Sequence, residues 1–211
     1  MSDANDAWNE LSEPWRLAVT EAWTSWCADC FGIGAVATQG ETVVAAGRNR
    51  VLEARREPGV IADSFTAHAE MNALAQIPWG QRGIALYMTL EPCLMCTSAI
   101  VMCRIDEVHY AASDNLMTGL RERLRTEPFV AERWPDTSGP MSGPIASFAR
   151  LLPHTFTLRV LGEDSLAIQQ GDAADVQRAR EAVASGSLDA VRNGGGSAVD
   201  ALIAVWDLLE R

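Results

Sequence analysis

The chain contains no lysine. All 17 of its basic residues are arginine, against 28 acidic residues, for a formal net charge of −11 over 211 residues. The missing lysine reads as compositional bias of a GC-rich source and not as function. The shortage of positive charge does bear on partners. Proteins that hold long polynucleotides gain affinity by neutralising phosphates with basic side chains. The acidic balance therefore argues against a nucleic-acid partner and leaves room only for a local basic patch. No apolar run approaches the roughly 18 residues that a membrane span needs. The first residues, Met-Ser-Asp-Ala-Asn-Asp, are acidic and polar, the opposite of a secretion signal. A cytoplasmic protein with no membrane partner is the expectation. Histidine is scarce, at three residues, and cysteine numbers five. Four of the cysteines form two Cys-x-x-Cys pairs, Cys27/Cys30 and Cys93/Cys96. An odd count in that arrangement suits metal or thiol chemistry in a reducing compartment better than a disulfide framework. The 48% hydrophobic and 21% charged content is that of an ordinary globular chain, long enough for one full core.

Periodicity predicts alternating helices and strands. Trp8, Leu11, Trp15, Val19, Ala22 and Trp26 recur at helical spacing over 7–27, with Pro14 suited to the first turn of a helix starting there. Two apolar runs, 32–38 and 42–47, flank Gln39-Gly40-Glu41 and predict a hairpin. A helix over 66–77 stopped by Pro78, a buried strand over 84–90, a helix from Pro92 to about Cys103 and a strand over 107–111 follow. Residues 115–155 form an insertion rich in turn residues, with a short helix around 145–152. Phe156-Thr-Leu-Arg-Val-Leu161 alternates and predicts the last strand. Helices over 172–185 and 197–210 close the chain. The expected fold class is α/β: a three-layer α/β/α sandwich on a central five-stranded mixed sheet. It would occupy residues 1–170, with a helical C-terminal extension over 171–211.

The chemistry concentrates in His68-Ala-Glu70 and Pro92-Cys93-Leu-Met-Cys96. Zn²⁺ favours imidazole nitrogen and thiolate sulfur in tetrahedral geometry, and a catalytic site keeps one of its four positions for water. His68, Cys93 and Cys96 supply three such ligands for one Zn²⁺, with water as the fourth. Glu70, two residues from the histidine, is placed to move protons without being a ligand. Cysteines three apart on a helix share a face, and a helix N-terminus favours the thiolate. The competing arrangement is a four-cysteine structural site joining Cys27 and Cys30 to Cys93 and Cys96, which leaves His68-Ala-Glu70 unexplained. Cys27, Cys30 and Cys103 read more simply as small buried hydrophobes, and His109 and His154 as structural.

At these residues the chain resembles the cytidine/deoxycytidylate deaminase superfamily, whose H-x-E…P-C-x-x-C signature they match. Thr66-Ala-His68-Ala-Glu70 and Glu91-Pro-Cys93-Leu-Met-Cys96 are similar to the branch of guanine deaminases, tRNA adenosine deaminases and fungal cytosine deaminase. The similarity covers roughly 14–114 and resumes weakly at 155–170. It implies a cytidine deaminase-like fold, a homodimer, and Glu70 as the proton shuttle. It also implies that Asn49, in Gly47-Arg-Asn49-Arg50, hydrogen-bonds the substrate, with backbone amides at Ala69 and around Glu91–Cys93 meeting the base. The purine, guanine-like reading is preferred over a tRNA adenosine or cytosine substrate, so the partner is a free nucleobase or nucleoside. The carboxylate that reads guanine in that branch has no aligned counterpart here. Glu122, Glu127 and Trp134 in the insertion, and Trp206 and Asp207 near the C-terminus, are the remaining candidates for substrate contact. Arg48, Arg50, Arg55, Arg56, Arg121, Arg123 and Arg125 are candidates for a phosphate, against the simpler reading as solvated or salt-bridged side chains.

Overall fold

A computed structural model describes residues 3–54, 57–117, 119–168 and 172–211. Arg55 and Arg56 lie outside these residues. The chain opens with α1 (Ala4–Glu10) and α2 (Glu13–Cys27), then the hairpin β1 (Gly34–Gln39) and β2 (Thr42–Arg48). Next come α3 (Ala69–Leu74), β3 (Ile84–Leu90), α4 (Leu94–Cys103) and β4 (Glu107–Ala112). A 3-10 turn at Asn115–Met117 leads into α5 (Leu120–Leu124), α6 (Pro128–Ala131) and β5 (Asp136–Ser138). The long α7 (Pro144–Phe156) continues as a wider helical turn over Thr157–Leu161. It is followed by α8 (Glu163–Ile168), α9 (Ala173–Ser185), α10 (Ser187–Asn193), α11 (Ala198–Ala204) and α12 (Trp206–Leu209).

The sheet has the order β2-β1-β3-β4-β5. β1 is antiparallel to β2 and β3, whereas β3, β4 and β5 run parallel. The two faces follow from the side-chain period of two. Ile84, Leu86 and Met88 of β3 join Ala35, Ala37 and Val108 against Ala69, Ala73 and Ile100 of α3 and α4. On the opposite face Tyr87 meets the Trp15 ring of α2 edge-on. Two glycines set how closely the helices approach. A Cβ on Gly34 would overlap the α2 backbone at Ala18 and Ala22, and one on Gly47 would overlap the α3 backbone at Ala69 and Ala73.

A second core lies on the α2 side, where Trp23, Trp26, Phe148, Leu151, Leu152 and Phe156 pack with Ala179, Ala201, Leu202 and Leu209. Helices α9, α11 and α12 thus share their apolar interior with α2 and α7.

Three expectations are corrected. Residues 156–161 are helical, not a strand. Their alternation fits a strand, but the helical stripe of Ile145, Phe148, Leu152 and Phe156 runs straight through the start of the segment. Trp26 holds that register by donating Nε1–H to Thr155 Oγ1 at 3.0 Å. The fifth strand is instead Asp136–Ser138, a short, exposed piece of the insertion paired to β4. Cys103 is exposed at the end of α4 and is not a core residue. The break between α1 and α2 falls at Leu11–Ser12, which puts Pro14 in the first turn of α2, where no N–H is needed. Among the described residues no helix is long and apolar enough to cross a membrane.

Candidate active site and metal centre

The site begins with the close approach at Gly47, which seats the first turn of α3 on β2. His68 is the N-cap of that helix and Cys93 the N-cap of α4. Asn72 ties the first turn down. Its Nδ2 donates to the carbonyls of Ile61 at 3.0 Å, Arg48 at 3.2 Å and His68 at 3.3 Å, while its Oδ1 accepts from Ile61 N–H. Thr97 Oγ1 donates to the Pro92 carbonyl and fixes the turn into α4.

Three ligand atoms converge there. His68 Nδ1 lies 3.6 Å from Cys93 Sγ and 3.5 Å from Cys96 Sγ, and the sulfurs are 3.5 Å apart. Bonds of about 2.3 Å to sulfur and about 2.0 Å to nitrogen in tetrahedral directions would set such atoms about 3.5–3.8 Å apart. The triangle therefore fits Zn²⁺, and the three residues are the one such metal-binding group among the described residues. Cys27 and Cys30 are not part of it. Both are free thiols whose pKa burial raises, and Cys27 packs against the Trp26 core.

Electrostatics follows the same geometry. The sulfur–sulfur hydrogen bond, with help from His68, holds Cys93 down to about 4. The same contact, with burial, pushes Cys96 up. His68 is raised, chiefly by its hydrogen bond to Cys93. Glu70 is buried, and that burial raises its carboxyl, against the lowering influence of His68. A carboxyl group held in this way beside the ligand atoms is suited to accept and return a proton.

Next to the ligands lies a cavity of about 240 Å³, at the small end for ligand sites. His68 and Cys93 form one part of its wall and Asn49 another. Asn49 is buried and its Oδ1 accepts from Val51 N–H at 3.1 Å, which orients the amide. Ala69 is the first residue of α3, where a backbone N–H has no acceptor within the helix. Glu91 is engaged elsewhere. Its N–H donates to the Ala112 carbonyl, and its carboxylate accepts from Asp114 N–H and Arg121.

The structure does not bring Glu122, Glu127, Trp134, Trp206 or Asp207 to this cavity. Glu122, Glu127 and Asp207 are exposed. Trp134 sits under the guanidinium groups of Arg121 and Arg125, and Trp206 packs on the second core. Arg48 and Arg50 are both ion-paired with Glu53, at 2.6 and 2.8 Å, and Arg50 also lies 3.9 Å from Glu57. Cavity-lining residues not singled out in the sequence include Phe31, Asp114 and Arg150, together with His154, whose sequence context reads as structural. Arg150 and His154 are four apart on α7, a pairing lost when the expected helix ends at about residue 152, before His154.

The family described as the cytidine and deoxycytidylate deaminase zinc-binding region matches residues 9–112. The chain is 37% identical to the tRNA-specific adenosine deaminase of Agrobacterium fabrum, a match spanning 47% of this chain and 63% of that protein. It is 31% identical to the protein of the same description from Aquifex aeolicus, over 50% of this chain and 68% of the relative. It thus spans a little under two thirds of the first of these and a little over two thirds of the second. Among solved structures, a tRNA:A34 deaminase studied for A-to-I editing at the wobble position superposes with a TM-score of 0.50 at 31% identity, over 59% of this chain and 94% of its own. A guanine deaminase from Nitrosomonas europaea has a TM-score of 0.51 at 21% identity, over 69% and 85%, which is a likeness of fold.

Proposed function

The chain belongs to the family of the cytidine and deoxycytidylate deaminase zinc-binding region, and from that premise we propose that it hydrolytically removes the exocyclic amine of a free purine-type base or nucleoside, guanine-like in preference. The observation that carries the reading is the triangle of His68 Nδ1, Cys93 Sγ and Cys96 Sγ beside buried Glu70, at the wall of a cavity sized for one small ring system. When bound, zinc supplies the Lewis acidity that makes water a nucleophile near neutral pH. Glu70 takes the proton from the attacking water and passes it to the ring nitrogen next to the amine-bearing carbon. It then takes the second proton, from the hydroxyl of the tetrahedral adduct, and delivers it to the departing amine, so that the C–N bond breaks, ammonia leaves and an oxo group remains. The buried site keeps that carboxylate from competing solvent. The Asn49 amide and the Ala69 N–H orient the base, since an amide offers both a donor and an acceptor to a heterocycle edge. We further infer a homodimer in the cytoplasm.

A small substrate is supported by the acidic net charge and by the engagement of Arg48 and Arg50 with Glu53. The second reading, deamination of adenosine in tRNA, is supported by the relatives of 31–37% identity, both described as tRNA-specific adenosine deaminases. Ammonia release from a panel of free bases and nucleosides, set beside inosine formation in tRNA transcripts, separates the two. Turnover of a free purine without inosine formation is expected. Inosine formation with no release from the panel would hand the assignment to the second reading, and neither activity in zinc-loaded protein would remove both.

A further inference from the structure

Arg150 and His154 stand one helical turn apart on α7 and line the same cavity as His68 and Cys93, yet the proton chemistry above uses neither. His154 is buried, and its Nδ1 has no hydrogen-bond partner among the described residues. Arg150 is held from outside the cavity. Its Nε lies 3.0 Å from Asp175 of α9, a buried carboxylate that also takes Arg178 at 2.8 Å. Two guanidinium groups share one carboxylate, so the cluster keeps a net positive charge. The Nε–H makes no hydrogen bond across that ion-pair contact, so Arg150 Nε, like His154 Nδ1, is a buried nitrogen without a hydrogen-bond partner among the described residues. Burial, reinforced by Arg150, lowers the His154 pKa against the pull of Asp175, which keeps the ring neutral with one donor and one acceptor nitrogen.

We propose that Arg150 and His154 determine specificity by receiving an oxygen acceptor of the substrate, with Asp175 of α9 acting through Arg150 as a positioning residue. The inference rests on the deaminase reading and names the feature its substrate must carry: an oxygen acceptor, either a ring oxo group or a phosphate oxygen. A buried nitrogen left without a partner is costly, and a ligand that satisfies it is selected over an analogue that leaves it unpaired. The proposal also gives the C-terminal helices a role at the site, because α9 supplies the carboxylate that holds Arg150.

The test uses two pairs of amines, in each of which one member carries an oxygen-acceptor group that the other lacks. Guanine against 2-aminopurine tests the ring oxo group, and deoxyadenosine monophosphate against deoxyadenosine tests the phosphate. The zinc-loaded full chain should prefer the acceptor-bearing member of one pair. H154F should cut that preference about 10- to 100-fold, chiefly through KM, and H154Q, which keeps hydrogen-bonding groups, should restore most of it. R150M and D175N should shift the preference the same way. Binding of the same pairs to zinc-loaded E70Q, measured by calorimetry, reads the preference without turnover. No preference within either pair, or a preference that survives in both H154F and R150M, overturns the proposal. Binding preference in E70Q with no turnover by the parent chain would leave the proposal standing and overturn the deaminase reading instead.

Discussion

Glu70 shows how far one side chain can be read. It is buried against the three ligand atoms, and that burial, which raises its pKa, also reserves it for the reacting water. Glu70→Gln keeps the size and loses the proton-accepting carboxylate. Turnover should fall by at least about 10²–10⁴, while zinc content and the melting curve stay close to the parent. Near-normal ammonia release from that variant would sink the proton-shuttle assignment. The cysteines make a second test at this scale. Cys93→Ala and Cys96→Ala should each abolish stoichiometric zinc, because each removes one of three ligands. Cys27→Ala and Cys30→Ala should retain it, because neither thiol is part of the ligand triangle. Metal analysis of the four purified variants decides between this centre and a four-cysteine site.

The elements add what single residues cannot. Helix α3 carries His68 and Glu70 only because Gly47 lets its first turn touch β2. Gly47→Ala forces the two backbones apart. The expected cost is about 1–3 kcal/mol, a fall in Tm of roughly 2–4 °C per kcal/mol, together with weaker zinc retention in a chelator competition. Unaltered zinc affinity would mean that α3 yields without moving its ligand. The junction after α2 offers a pH test. Asp29, in left-handed backbone at φ 54, accepts from Arg192 at 2.7 and 2.8 Å and from Arg159 at 2.7 Å, tying α2 to α10 and to the end of the α7 helical run. The Arg192 hydrogen bond lowers the Asp29 pKa below the ordinary value. A carboxylate lowered on folding stabilises above its unfolded pKa, near about 3.9, and that stability is lost as pH falls through the folded value. Asp29→Asn tolerates the same backbone and should cost no more than about 1 kcal/mol at neutral pH, since the group is more than half exposed. The deficit should vanish at pH values below the carboxylate range. A deficit that persists in acid would assign the effect to packing.

Across the whole molecule, the second core decides what can be removed. Trp23, Trp26, Phe148 and Leu152 bury their faces against α9, α11 and α12. A chain ending at Gly171 exposes that surface and should lose cooperative melting and bind a hydrophobic dye. A sharp transition within a few degrees of the full chain would show that the remaining layers suffice. The outer side of α4 exposes Leu94 and Met102, a setting for association with a second copy. Light scattering should report twice the mass of the chain, and Met102→Glu should shift the protein toward the monomer.

Much of this is legible in the sequence. Metal ligands and shuttle are sequence-local: His68-Ala-Glu70 and Cys93-x-x-Cys96 each lie within one turn of chain, and zinc chemistry limits what those residue types can do together. The hairpin, β3, β4 and the helices before the insertion follow from periodicity, because each buries one face against a layer. The last strand was misplaced because 156–161 alternates while the α7 stripe, anchored by Trp26, holds it helical. The true fifth strand has three exposed residues and no apolar signal; it exists because β4 offers it an edge. Part of the cavity wall is illegible in the sequence for a related reason. Arg150 and His154 reach the cavity only when α7 crosses the sheet, and Asp175 reaches Arg150 from a helix more than twenty residues further along the chain. Spacing within a turn determines a metal centre. A cavity wall assembled from distant elements is decided by packing, which no local pattern encodes.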